Sequence, residues 1–282
     1  MLKIAIPNKG SLSEKSVELI KEAGYSCKRR SRELVVRDTK NHIEFYYLRP
    51  RDIATYVHGG IVDLGITGRD LAFDSRKEYY ELLPLGLGNS QFFYAVPKEL
   101  DITPDDLDKK RIATSYPALV EHDMKKRGNQ VEVVHLSGAI EISIELDVAD
   151  AIADVVESGR TLQEAGLKTI GEPIMHSEAI LISKREETGS RESVATFITR
   201  IEGILRARSY VLVEYDAPRK KLDILTELTP GVESPTISPL NEEGWVAVKA
   251  MVQKKGINTL IDKLYDRGAK GIFVSEIKTC RI

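Results

Sequence analysis

Cysteine is nearly absent from this chain: Cys27 and Cys280 are the only two among 282 residues, and they stand at opposite ends. No Cys-x-x-Cys pair occurs and few histidines lie near either thiol, so free thiols are expected rather than a disulfide or a cysteine-ligated metal. Aromatic residues make up 6% of the sequence. Charge of one sign is not in excess, since 41 Lys and Arg face 43 Asp and Glu for a formal net charge of −2. That balance lacks the basic surplus on which non-specific nucleic-acid binding depends, and any anion site must be local. No apolar run approaches the roughly 18 residues needed to cross a bilayer. The first one, Leu2 to Pro7, turns polar at Asn8-Lys9, too short for a secretory leader. A cytoplasmic location is expected, with neither membrane nor nucleic acid as partner. Gly-x-x-x-x-Gly-Lys-Ser/Thr is also missing, so a bound phosphate would be held by backbone and hydroxyl groups.

What is present is an ordinary globular balance, 42% apolar and 30% charged, at a length that favours two or three domains. Short apolar runs alternate with amphipathic stretches over the first two hundred residues, the rhythm of strands and crossover helices. Strands are expected at Leu2–Pro7, Glu33–Arg37, Ile43–Leu48, Val62–Ile66, Leu82–Leu87 and Phe92–Val96, with helices at Ser11–Gly24 and Arg49–Val57. The second and third of these strands flank the turn Thr39-Lys40-Asn41 as an antiparallel hairpin. After Pro97 the rhythm restarts: strands at Arg111–Thr114, Val131–Leu136, Ala151–Val156 and Ala179–Ile182, helices at Leu119–Lys126, Ala139–Leu146 and Val194–Arg206. From Tyr210 it changes to βαββαβ, a ferredoxin-like module. The expected architecture is α/β: two periplasmic-binding-protein-like α/β domains flanking a cleft, plus a C-terminal ferredoxin-like βαββαβ domain. The expected boundaries are 1–96 with 180–210, then 97–179, then 211–282.

The most informative segment runs from Asp150 to Leu162. An apolar strand delivers the chain into Glu157-Ser158-Gly159-Arg160-Thr161, and a helix is expected from Leu162. Unpaired N–H groups at a helix start, a glycine allowing close backbone approach and two hydroxyls suit an anion. The same pattern also serves as a capped turn without a ligand.

At this segment the chain resembles the ATP phosphoribosyltransferases, through Glu141, Ala149, Ile152, Asp154, Val155, Ser158, Gly159, Thr161 and Leu162. One departure is Asp147, where the family pattern has glycine; Asp tolerates the left-handed conformation expected there. The resemblance continues through Ile6-Pro7-Asn8-Lys9-Gly10, Leu48-Arg49-Pro50-Arg51-Asp52, Gly65-Ile66-Thr67-Gly68-Arg69-Asp70 and Thr229-Pro230-Gly231-Val232-Glu233-Ser234-Pro235-Thr236. The last stretch belongs to the long form, whose C-terminal module is regulatory.

The resemblance implies Mg²⁺-dependent attack of adenine N1 of ATP on the anomeric carbon of phosphoribosyl pyrophosphate, with pyrophosphate leaving. Asp154 and Glu141 become the catalytic candidates, and Asp154, Val155, Val156, Glu157, Ser158, Gly159, Arg160 and Thr161 the phosphoribosyl pyrophosphate set. Lys9, Arg49, Asp70, Leu71 and Ser90 are implied for ATP; Arg51 and Arg69 lie in the same segments. The basic stretch Lys28 to Arg32 reads as an exposed loop. Histidine as feedback inhibitor implies Asp216, Ser234, Thr236 and Gly271. The Mg²⁺ ligands stay open, and the family implies a homo-oligomer, dimer to hexamer. A solute-binding receptor shares the two-lobed architecture, and an amino-acid-sensing regulator would leave the phosphate loop unexplained.

Overall fold

The computed structural model describes residues 1–30, 33–156 and 159–281. The chain divides into two compact units, Met1–Lys21 with Tyr25–Ala195, and Glu22–Gly24 with Thr196–Ile282.

The first unit opens with β1 (Leu2–Pro7), α1 (Ser11–Glu22), β2 (Val35–Asp38), β3 (Ile43–Leu48), α2 (Pro50–His58), β4 (Leu64–Gly68), α3 (Arg69–Asp74) and β5 (Tyr80–Pro84). It continues with β6 (Ser90–Pro97), β7 (Arg111–Thr114), α4 (Pro117–Arg127), β8 (Glu132–His135), β9 (Ala151–Val156), α5 (Arg160–Glu164) and β10 (Leu167–Ser177). β11 (Ala179–Ser183) then returns to the first sheet, and α6 (Glu192–Ser209) follows, starting in the first unit and belonging to the second from Thr196 onward. The two sheets are ordered β2-β3-β1-β4-β11-β5 and β10-β6-β9-β7-β8.

β1 runs parallel to both β3 and β4, and Ile4, Ala5 and Ile6 are all fully buried, the continuous apolar run of a strand covered on both faces. β2 and β3 form the expected antiparallel hairpin. In the second sheet β9 runs parallel to β7 and antiparallel to β6. Phe92, Tyr94, Ile112, Leu119 and Val120 close its core.

The structure differs from expectation in three places. β10, eleven residues long, has no strand-like signature: Gly171-Glu172-Pro173 interrupts its alternation, and its register against β6 shifts between Ile170 and Met175. The helix expected over Ala139–Leu146 is a single 3-10 turn, Ile140–Ser143, bounded by left-handed Ala139 (φ 48°) and Asp147 (φ 53°). Ile140 and Ile144 pack into the core at helical spacing, but Ile142 and Leu146 face solvent and left-handed residues close the segment at both ends, so it stays a single turn. Asp147 does adopt the left-handed conformation expected of it. Finally, β6 lies in the second sheet, so the chain leaves the first sheet between Pro84 and Ser90, ahead of the boundary expected after residue 96.

The second unit carries β12 (Tyr210–Pro218), α7 (Leu222–Thr226), β13 (Thr236–Pro239), β14 (Trp245–Gln253), α8 (Ile257–Asp266) and β15 (Lys270–Glu276). Its sheet is antiparallel with order β13-β14-β12-β15, the ferredoxin-like arrangement. Val211, Val213, Tyr215 and Ala217 alternate inward along β12 onto Leu225 and Leu264 of the helices. Among the described residues, no helix is long and apolar enough to cross a membrane.

Candidate active site

Three parallel strands of the first sheet, β3, β1 and β4, end side by side, and each hands the chain to a candidate residue. Exposed Lys9 follows β1, and exposed Arg49 follows β3 at the N-cap position of α2. Asn8 N–H donates to Leu48 O at 2.8 Å, which binds these two strand ends together. Asn8 also buries its Oδ1 without a donor among the described residues. An unmet buried acceptor is costly, and here it lies on the strand edge where open α/β sheets hold ligands. No feature of the linear sequence marks it.

β4 ends in Gly68 and leads into Asp70, which is buried. A Cβ on Gly68 would collide with Asp70 Oδ1, so only glycine lets that carboxylate turn back beside the strand end. Ser177 fixes Asp70 from both sides: its hydroxyl donates to Oδ1 at 2.9 Å and accepts from the Asp70 N–H at 3.1 Å. Leu71 is half-buried in the following turn.

The second sheet presents its own parallel strand ends. Asp154 lies half-buried near the end of β9, one Oδ1 accepting from the Val155 N–H at 2.7 Å. Burial raises its pKa above the ordinary carboxylate value, and the negative charges of Glu141 and Asp70 add to the rise, against Val155 N–H and Arg51, which lower it. β7 delivers Tyr116, whose phenol is pushed up first by burial and then by Asp70, to which it is hydrogen-bonded. Arg51 of α2 sits 4.9 Å over the Tyr116 ring and pairs with Asp74 at 2.7 Å. Asp74 in turn accepts from Ala118 N–H at the start of α4, at 2.8 Å. Asp70, Arg51, Tyr116 and Asp154 thus form one cluster drawn from both sheets. Tyr116, Asp74 and Ser177 escape the linear reading; the signal for Tyr116 is its place just before Pro117, at a strand-to-helix turn on the ligand-binding edge.

The anion turn is partly described. Glu157 and Ser158 lie outside the described residues. Gly159 is left-handed (φ 72°), the N-cap of α5, which a residue with a Cβ adopts only under strain. α5 has five residues, so its helix dipole is small, and the donors are N–H groups and the exposed Thr161 hydroxyl. Arg160 pairs with Glu164 at 2.8 Å, with side chains 83% and 65% exposed, a solvated helix pair of little energetic weight. Val156 and Ser90 line one cavity of about 340 Å³. Thr161 and Glu141 line another of about 640 Å³. Val155 packs half-buried against the second core.

Arg69, a triphosphate candidate from its segment, is engaged inside the protein instead. It forks onto Glu81 at 2.7 and 3.0 Å and reaches Glu178 at 3.3 Å. Arg29 of the basic stretch is also occupied, donating to Asn8 O at 2.7 Å over the Tyr47 ring. In the second unit Asp216 and Gly271 are neighbours, Asp216 Oδ2 lying 3.3 Å from where a Cβ of left-handed Gly271 would stand. Ser234 precedes β13, which Thr236 opens, on the far edge of the same sheet from β15. Thr236 is thus two strands from Asp216 and three from Gly271.

The chain matches the family model "ATP phosphoribosyltransferase" over residues 49–203 and "HisG, C-terminal domain" over residues 207–279. It is 52% identical over 283 residues to an ATP phosphoribosyltransferase of Salinibacter ruber and 51% identical over 282 residues to one of Corynebacterium efficiens, covering 100% of each chain in both pairs. Among solved structures it resembles a chain of the ATP phosphoribosyl transferase (HisG:HisZ) complex from Thermotoga maritima, with TM-score 0.65 and 28% identity over 74% of this chain and 100% of that one. A full-length match at half identity, with both family models in sequence order, places this chain in the ATP phosphoribosyltransferase family, in the long form that carries its own C-terminal domain.

Proposed function

We propose that the cluster of Asp70, Arg51, Tyr116 and Asp154 marks the place where the two substrates meet, and that catalysis is displacement at the anomeric carbon of phosphoribosyl pyrophosphate. The N1 lone pair of ATP forms the new C–N bond as the bond to pyrophosphate breaks, and pyrophosphate leaves with the electron pair. The observation that carries this reading is the convergence of parallel-strand ends from both sheets on one group of carboxylates.

In this reading Lys9 and Arg49 supply cations to the triphosphate, and Asp70, Leu71 and Ser90 complete the ATP side. Val155 to Thr161 hold the 5-phosphate through backbone N–H groups and hydroxyls. Asp154 spends one hydrogen bond on Val155 and keeps its remaining lone pairs for ribose hydroxyls while positive charge grows on the sugar. Glu141 reinforces that negative field.

Oxygen donors suit Mg²⁺, which keeps several waters and takes only one or two protein carboxylates. In this reading Asp154 and Glu141 are the carboxylates that would hold the ion. Bound there, Mg²⁺ would supply charge neutralisation for the leaving group.

Residues 211–282 are the regulatory domain in this reading. Gly271 stands on edge strand β15 and Thr236 on the opposite edge strand β13, three strand spacings or roughly 14 Å apart at about 4.8 Å per strand, with Asp216 on β12 two spacings from β13. In this reading a single histidine is bound by both pairs, Asp216 with Gly271 and Ser234 with Thr236, where the β13 edge of one copy meets the β15 edge of another, so inhibition goes with a homo-oligomer.

The test is direct: purified protein with Mg²⁺, ATP and phosphoribosyl pyrophosphate forms phosphoribosyl-ATP, and histidine lowers the initial rate. Absence of product overturns the reaction; product without inhibition overturns the regulatory part alone.

A further inference from the structure

The chain crosses between the two sheets of the first unit twice, along Leu85–Asn89 from β5 to β6 and at Glu178 from β10 to β11. The crossings are bonded to each other, Leu85 N–H to Ala179 O at 2.9 Å and Ala179 N–H to Leu87 O at 2.8 Å. The Glu178 side chain adds a clasp. One carboxylate oxygen accepts from Gly86 N–H at 2.6 Å and the other from Arg69 Nη2 at 3.3 Å, while Glu178 O accepts from Arg69 N–H at 2.9 Å. Arg69 is held in turn by its fork onto Glu81 of β5.

This clasp adjoins residues of both substrate sides. Asp70 follows Arg69, and Ser177, which fixes the Asp70 carboxylate, precedes Glu178. Arg69, Ser177 and Glu178 line the same 340 Å³ cavity as Ser90 and Val156. Two adjacent crossings are where a two-lobed unit opens or closes, because few backbone torsions there move a whole sheet. Gly86 (φ 61°) and Gly88 (φ 64°) give one crossing left-handed turns, and the carboxylate of Glu178 bonds it to the other.

We propose that Glu178 is a positioning residue for the transfer reaction: by joining Gly86 of one crossing to Arg69 beside the other, it holds the lobes in the arrangement that binds both substrates. The inference rests on the reading that Asp70 and Ser90 serve ATP while the β9 turn serves phosphoribosyl pyrophosphate. Its signature follows from population arithmetic. If only a fraction of molecules has the competent hinge, the apparent affinity for every ligand that bridges the lobes falls by that same fraction.

The experiment compares steady-state kinetics of the full chain with those of Glu178→Ala and Glu178→Gln, alongside thermal unfolding. In the alanine variant KM for ATP and KM for phosphoribosyl pyrophosphate should rise together, about 5- to 10-fold each, with kcat at saturation little changed. Glutamine keeps an acceptor for the Gly86 N–H but turns its amide NH2 group toward Arg69, so both KM values should lie together between those of the parent and the alanine variant. A rise for ATP alone would mean a local disturbance of Asp70 and would overturn the proposal. So would an unchanged alanine variant, or a drop in kcat that tracks a lower melting temperature in both variants. An unmutated chain that forms no phosphoribosyl-ATP overturns the substrate reading and this proposal with it, and is recognised because the failure precedes any substitution.

Discussion

Arg51 and Tyr116 meet across the two sheets of the catalytic unit, the guanidinium carbon 4.9 Å above the ring centroid. Phe92 meets the same ring edge-on at 5.1 Å. The guanidinium is also paired with Asp74 and lies close enough to Asp154 to lower its pKa. The positive charge of Arg51 tempers a site otherwise crowded with negative ones.

Asp154→Asn should separate stability from activity. The pKa of Asp154 is raised in the folded chain, so the folded state favours the protonated form. Its contribution to stability is fully present below the unfolded pKa and is lost as pH rises through the folded one. At neutral pH the uncharged asparagine should therefore be at least as stable as the parent, with the difference vanishing below about pH 4. Turnover should fall by about 100-fold, since a group facing developing charge is removed. Melting curves across pH, with rates, check both; an asparagine variant less stable at neutral pH contradicts the sign.

Asp74→Ala should unlock the lobes. It removes the acceptor for Ala118 N–H at an α4 N-terminus whose Tyr116 cap offers no side-chain bond, and it frees Arg51. A loss of about 1–2 kcal/mol is expected by urea denaturation, with Asp74→Asn losing less because an acceptor remains.

Thr161→Ala should weaken phosphoribosyl pyrophosphate more than ATP, because the hydroxyl belongs to the turn beginning at left-handed Gly159. A selective loss of about 1 kcal/mol, or roughly fivefold in affinity, is the expected size by calorimetric titration. Equal losses for both ligands would remove the 5-phosphate from this turn.

Asp216→Ala and Thr236→Ala should each abolish inhibition by histidine, yet co-assembled oligomers of the two should regain part of it. Each mixed interface can pair the intact Thr236 of one copy with the intact Asp216 of the other. A mixture as insensitive as its components would place the whole site within one chain.

How much of this was legible varies along the chain. β1, the β2-β3 hairpin and the βαββαβ module announce themselves because periodicity is local: strands buried on both faces are apolar throughout, and half-buried ones alternate. The left-handed Asp147 follows from its side chain for the same reason. β10 does not, since a bulged strand with Gly171 and Pro173 inside it is held by its pairing to β6, seventy-odd residues away. The Ile140–Ser143 segment stays a single turn because left-handed Ala139 and Asp147 bound it, although Ile140 and Ile144 keep helical spacing toward one core.

The candidate site divides along the same line. Lys9, Arg49, Asp70 and the Gly159 turn are candidates legible in the sequence, because each stands where an apolar run breaks into polar residues at a strand end, and Asp154 is legible as the one charge inside the apolar strand β9. Which of those ends face one another is decided only when two sheets assemble. Tyr116 becomes a neighbour of Asp70 and Asp154, Ser177 reaches back over a hundred positions to Asp70, and Arg69 is drawn onto Glu81 and Glu178, out of the free cation role its segment suggested. Electrostatic interactions depend on separation through space, and a linear pattern carries separation only along the chain.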